Sequence, residues 1–162
     1  MRRADAPLPV PPDPYAWALA ALGRRELTAQ QLRQRLLRRG CDSEAVEAAL
    51  ERLRHERALD DGRAARAFVR TEVAIKRRGP QRIARAMNAM GVDRDTARAA
   101  LDETFAERPV DDVLQQALDR RLRGPIVDDR HAQRLIGYLV RQGFDVGAAV
   151  AAVRKRRTDS HA

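Results

Sequence analysis

Leu32-Arg33-Gln34-Arg35-Leu36-Leu37-Arg38-Arg39-Gly40-Cys41-Asp42 is the stretch whose reading decides the fold. Apolar residues stand eight and four positions before a glycine, and one apolar residue and an aspartate follow it. Glycine takes the left-handed conformation that ends a helix without a Cβ penalty. Aspartate accepts the first free N–H groups of the helix that follows. The same order returns as Ile83, Met87, Gly91, Val92 and Asp93, and again as Leu135, Leu139, Gly143, Phe144 and Asp145. The three glycines recur at intervals of 51 and 52 residues, a period that signals a repeat architecture.

Working outward, each copy reads as the second and third helices of a three-helix unit. Asp13-Pro14 opens the first helix, with Tyr15, Ala18, Leu19 and Leu22 as its apolar stripe and Gly23 as its stop. Thr28 and Gln31 have capping-box spacing and begin the second helix, striped by Leu32, Leu36 and Leu37. Asp42 or Ser43 caps the third, striped by Val46, Ala49, Leu50 and Leu53. A second unit opens with a long helix over about residues 62–77, with Ala64, Phe68 and Ile75 on one face. Ile83, Met87 and Met90 line its next helix, and Asp93 caps a third bearing Ala97, Ala100 and Leu101. Beyond Pro109, Leu114, Ala117, Leu118 and Leu122 start a third unit, which Gly124-Pro125 interrupts. Asp128 or Asp129 caps a helix with Leu135, Ile136, Leu139 and Val140, and Val146, Ala149, Val150 and Val153 follow Asp145.

The expected fold is therefore all-α: three tandem three-helix repeats forming an elongated, curved helical array. The expected divisions are a flexible proline-rich tail over 1–13, repeats over 14–61, 62–108 and 109–156, and a disordered tail over 157–162. Aromatic residues make up only 4% of the chain, so leucine and alanine must carry the packing. No stretch alternates as a strand would.

Catalytic patterns are missing. The one cysteine, Cys41, holds the position that Val92 and Phe144 fill in the other copies, so it reads as a small hydrophobe. His55, His131 and His161 share no metal-ligand spacing, and no glycine-rich phosphate loop is present. The repeated aspartates read as caps rather than paired catalytic carboxylates. A non-enzyme without cofactor or metal is expected. A single cysteine, no apolar leader and no run near the roughly 20 residues of a membrane span lead to a cytoplasmic expectation.

Net charge is +9, and its distribution is uneven. Residues 1–13 balance at zero, 14–61 carry +1, 62–108 carry +5 and 109–162 carry +3. The excess centres on Lys76, Arg77, Arg78, Arg82 and Arg85, of which the last three recur at helical spacing. Arg33, Arg38 and Arg39 form a second basic group, of which the latter two are site candidates, and Arg134 and Arg141 hold comparable places in the third copy. These nine residues are the candidate surface for an anionic partner, either phosphates or carboxylates. The bland alternative is a solvated helix face.

Several stretches resemble one family, the bacterial RecX regulators. They are Tyr15–Leu22 with Arg25–Leu32, Leu59-Asp60-Asp61 with Arg66–Arg70, Arg78–Ile83, and Arg134–Leu139 with Arg141–Phe144. The likeness spans about residues 14–155. It implies tandem three-helix repeats. It also implies binding to the RecA recombinase filament, with restraint of its strand exchange, ATP hydrolysis and co-protease activity, and so a role in DNA repair and the SOS response. Single- or double-stranded DNA is a further implied partner, and a monomer is expected. The competing reading is a helix-turn-helix transcription regulator, which basic three-helix units also permit.

Overall fold

A computed structural model describes residues 11–159. Among the described residues the chain forms nine α-helices and no strand. They are α1 (Pro14–Leu22), α2 (Ala29–Leu37), α3 (Ser43–His55), α4 (Asp61–Ala74), α5 (Pro80–Ala89), α6 (Arg94–Glu107), α7 (Val110–Arg121), α8 (Asp129–Gln142) and α9 (Val146–Asp159). No helix among them is long and apolar enough to cross a membrane.

The recurring stop is the same piece of main-chain geometry three times. Gly40, Gly91 and Gly143 have φ of 79°, 75° and 97°. The residue after each glycine donates back to a carbonyl five positions earlier: Cys41 to Leu36 at 3.2 Å, Val92 to Met87 at 3.1 Å and Phe144 to Leu139 at 3.2 Å. Each glycine also donates to the carbonyl three positions before it, completing a Schellman end. The plug residues Cys41, Val92 and Phe144 are buried, as are the stripes Leu32–Leu36, Ile83–Met87 and Leu135–Leu139. Caps follow in register. Asp42 accepts from Glu44 and Ala45, Asp93 from Thr96, and Asp145 from Ala148. Thr28 and Gln31 form a full capping box, and Asp128 caps α8.

Packing divides the chain into two compact units, Met1–Asp61 and Gly62–Ala162. In the first, α1 and α2 pack on α3 around Ala18, Leu27, Leu32, Leu36, Leu50 and Leu53. Cys41 closes one end, its thiol 3.4 Å from the Pro12 carbonyl oxygen. In the second unit the helices α4–α9 share one core, running from Ala65 and Val69 through Ile83, Met87 and Leu118 to Leu139, Phe144 and Val153.

Several sequence expectations need correction. Leu19 and Leu37 are exposed, because each lies one residue, about 100° of helix, off the buried line through Ala18 or Leu36. Val146 is exposed on the first turn of α9. Ile75 is 63% exposed because α4 ends at Ala74 instead of reaching residue 77. Arg77 adopts φ 51° there, and the Arg78 N–H turns back to the Glu72 carbonyl at 3.1 Å. At the other end, α9 runs to Asp159, so residues 157–159 are helical where a disordered tail was expected. Arg157 pairs with Asp129 at 2.5 Å, tying α9 to the start of α8. Residues 1–10 of the proline-rich segment and 160–162 lie outside the described residues.

Candidate interaction surface

Glu72 organises the basic cluster of the second unit. It falls on the inner face of α4, between Val69 and Val73, and is 1% exposed. A buried carboxylate costs several kcal/mol unless it is paired. Here Lys76 Nζ approaches Oε1 to 2.6 Å, and Arg78 Nη1 bonds to Oε2. Two of the predicted surface cations are thus committed to one buried acid, Arg78 half-buried and Lys76 still exposed, and they shape the α4–α5 link. The Ile75 carbonyl, left free by the end of α4, accepts from Arg77 at 3.2 Å and Arg120 at 3.1 Å.

The next residues join α5 to α8. The Gly79 N–H donates to the Gln142 carbonyl at 2.9 Å and the Gln81 N–H to Gly143 at 3.1 Å. Arg82 Nη1 donates to the Arg141 carbonyl at 3.0 Å. The unpaired donors of one helix start therefore meet the unpaired acceptors of one helix end, which brings the positive end of one helix dipole to the negative end of the other. This joint brings the middle-copy arginines beside the third-copy ones.

Around the joint, the remaining candidates face solvent. Arg85, Arg134 and Arg141 are exposed, and among the described residues their side chains have no carboxylate partner. Arg141 lies over Gly137, where an added Cβ would sit 3.2 Å from Nη1. Arg134 and Arg141 line a cavity of about 360 Å³ with Arg121, His131, Gln133 and Tyr138, and no acidic residue lines it. Arg121 stands 5.8 Å from the centre of the Tyr138 ring. Such a cavity suits an anionic group with a flat apolar portion.

Arg38 and Arg39 belong to the other compact unit. Arg38 Nε donates to the Gln34 carbonyl at 3.1 Å and Arg39 Nη1 to Arg35 at 3.2 Å, so both close the C-terminal turn of α2. Arg39 also stacks on Trp17, 4.2 Å from the ring centre. Arg35 nearby carries a lowered pKa, chiefly through burial and then through Arg25, Arg38 and Arg39.

Sequence reasoning missed Glu72 and the meeting of α5 with α8. An acid four residues before Lys76, set between two valines of an apolar stripe, was the available signal for the first. The second had none, since Gly79 and Gly143 look like ordinary helix breakers.

Fold and surface together define an all-helical protein of tandem three-helix units carrying a cation-rich face. Among the described residues no cluster of three metal-ligating side chains occurs. Two family models match, RecX first three-helix domain over residues 15–53 and RecX second three-helix domain over residues 60–101. A "Regulatory protein RecX" of Halorhodospira halophila is 40% identical over 141 residues, covering 83% of this chain and 84% of the relative. One from Thermobifida fusca is 34% identical over 152 residues, covering 90% and 81%. The chain belongs to the RecX family of regulatory proteins. The crystal structure of RecX from Lactobacillus salivarius shares the fold, with a TM-score of 0.73 at 16% identity over 90% of this chain and 95% of that one. A second crystal structure, of regulatory protein RecX, gives a TM-score of 0.71 at 21% identity over 90% of this chain and 70% of that one.

Proposed function

We propose that this protein binds the RecA recombinase on its nucleoprotein filament in the cytoplasm and restrains strand exchange, ATP hydrolysis and co-protease activity without catalysing a reaction itself. Membership of a family of regulatory proteins supports a regulatory role. The observation that carries the rest is that Arg85 on α5, one turn beyond the joint, and Arg134 and Arg141, which line one cavity on α8, are exposed without carboxylate partners among the described residues. Unneutralised arginines suit acidic protein surface and nucleic-acid phosphates alike. Lys76, Arg78 and Arg82 support this surface by holding the link and the joint. Arg77, Arg85, Arg134 and Arg141 are the groups that would meet the partner.

The test is ATP hydrolysis by recombinase on single-stranded DNA. The wild-type chain should suppress it, and R85E/R134E/R141E should lose most of that suppression while keeping its helical circular dichroism. Full inhibition by the folded triple variant removes the surface assignment. No inhibition by the wild-type chain removes the function itself. Tight, sequence-selective duplex binding without recombinase would favour a transcription regulator instead.

A further inference from the structure

The three copies treat the groove between their second and third helices differently. In the first, Arg33 on α2 reaches Glu47 on α3 through Nε at 2.5 Å and Nη2 at 2.8 Å, bridging the two helices. The equivalent positions 51 residues on are Ala84 and Arg98. One cross-groove partner has become a methyl group, and the other has changed sign. In the third copy the same positions are Ile136 and Val150, both half-buried apolar residues. The middle copy thus combines an unbridged floor with arginines at positions 85, 94 and 98.

The outcome is an open groove of about 660 Å³ between α5 and α6. Ala84, Leu101 and Phe105 form its apolar floor, with Leu101 and Phe105 packed from the core side and half-buried. Arg85, Arg94 and Arg98 stand along its edges with one acidic residue, Asp102, so cations outnumber acids three to one. Arg85 and Arg94 have no carboxylate partner among the described residues. Arg98 has only Asp102, at 3.7 Å and largely in solvent. Such a surface asks for apolar anchors with negative charge on both sides. A nucleic-acid backbone offers the charge and leaves the apolar floor wet.

We propose that the α5–α6 groove is a docking site for an acidic amphipathic helix of a partner protein. The helix lies with its apolar face on Ala84, Leu101 and Phe105 and its flanking carboxylates against Arg85, Arg94 and Arg98. Anchors at i, i+3, i+4 and i+7 match this mode of recognition. A groove bordered by the 14 residues of α6 accommodates about four turns. The inference rests on the proposed function for the identity of the partner protein, and on the groove alone for the chemistry of the docked segment.

The probe is a fluorescein-labelled 18-residue helical peptide with leucines on one face and glutamates on both flanks, titrated with the full chain. A matched peptide carries lysine at every glutamate. The glutamate peptide should bind. Its affinity should fall at least tenfold for R94E/R98E, whose substitutions are both exposed, and for A84W, which fills the floor. The lysine peptide should bind only R94E/R98E. Equal binding of both peptides, no binding of either, or affinity unchanged in both folded variants overturns the proposal. So does displacement of the peptide by oligothymidylate from the wild-type chain with the same loss in R94E/R98E, because the groove would then be a nucleic-acid site. The recombinase assay judges the proposed function separately: a wild-type chain that leaves ATP hydrolysis untouched yet binds the glutamate peptide refutes that function and keeps the groove.

Discussion

Gly79 and Gly143 touch backbone to backbone: a Cβ on Gly79 would lie 2.5 Å from both the carbonyl carbon and the oxygen of Gly143. A Cβ on Gly143 would in turn lie 2.4 Å from the Arg82 nitrogen. No side chain can give way at either place, because the obstacle is main chain.

Three alanine substitutions separate the reasons for glycine. Gly40 has φ 79° and open space around it, so G40A should cost about 1–2 kcal/mol, the strain of a left-handed residue. Gly79 has φ −81°, which any residue accepts, so G79A is purely steric and should cost about 1–3 kcal/mol. At Gly143 a φ of 97° joins the steric conflict, and G143A should cost the most, roughly 3 kcal/mol or above. Urea unfolding of the three variants gives the order. A G143A as mild as G40A would remove the tight joint.

Glu72, Lys76 and Arg78 should behave as one unit. R78M leaves a buried carboxylate with Lys76 alone and should destabilise by about 2 kcal/mol, since the cations keep partial contact with water. E72L/R78M removes both charges and should cost less than the sum of E72L and R78M. Additive losses in a double-mutant cycle would mean that the pair is not coupled.

Tyr15, Arg52 and Glu56 form an exposed cluster with a two-sided pH signature. The Tyr15 hydroxyl donates to Glu56 at 2.7 Å, Arg52 Nε donates at 2.9 Å, and the guanidinium covers the Tyr15 ring at 3.8 Å. Glu56 is held below the usual carboxylate range by Tyr15 first and Arg52 second, and the Tyr15 phenol is raised, first by its bond to Glu56. The depressed carboxyl stabilises above its unfolded pKa, and that support is lost as pH falls through the lower folded value. The raised phenol stabilises below its unfolded pKa of about 10, and that support is lost as pH climbs through the folded value. E56Q should flatten both limbs of thermal midpoint against pH, by small amounts because the cluster is exposed. Identical profiles for E56Q and wild type would sink the assignment.

Asp93 offers a cleaner acid-side test. It caps α6 through the Thr96 N–H at 2.9 Å, and hydrogen bonds from Thr96 hold its carboxyl below the usual range. D93A should lower stability at neutral pH, because the first N–H groups of α6 lose their acceptor. The gap to wild type should shrink as pH falls through the depressed pKa, where the wild-type cap protonates. A gap independent of pH would point to the backbone rather than the carboxylate.

Much of the fold was written locally. Stripe, glycine, plug and aspartate depend on residues within about a dozen positions, so Leu36, Gly40, Cys41 and Asp42 could be placed from the sequence, as could their counterparts. Edges of the stripes read less well, since Leu37 and Ile75 are apolar yet exposed, and hydrophobicity alone does not say where a helix ends. The basic surface was half legible. Arginines announce charge, but whether a guanidinium faces water or a buried acid depends on packing. Lys76 and Arg78 are paired with the buried Glu72, while Arg85, by the same sequence criteria, has no such partner among the described residues.

The α5–α8 joint has a consequence for mechanics. Two of its three bonds run from main-chain donors to main-chain acceptors and the third from the Arg82 guanidinium, so a displacement of the end of α8 would be passed to the start of α5 chiefly through peptide groups.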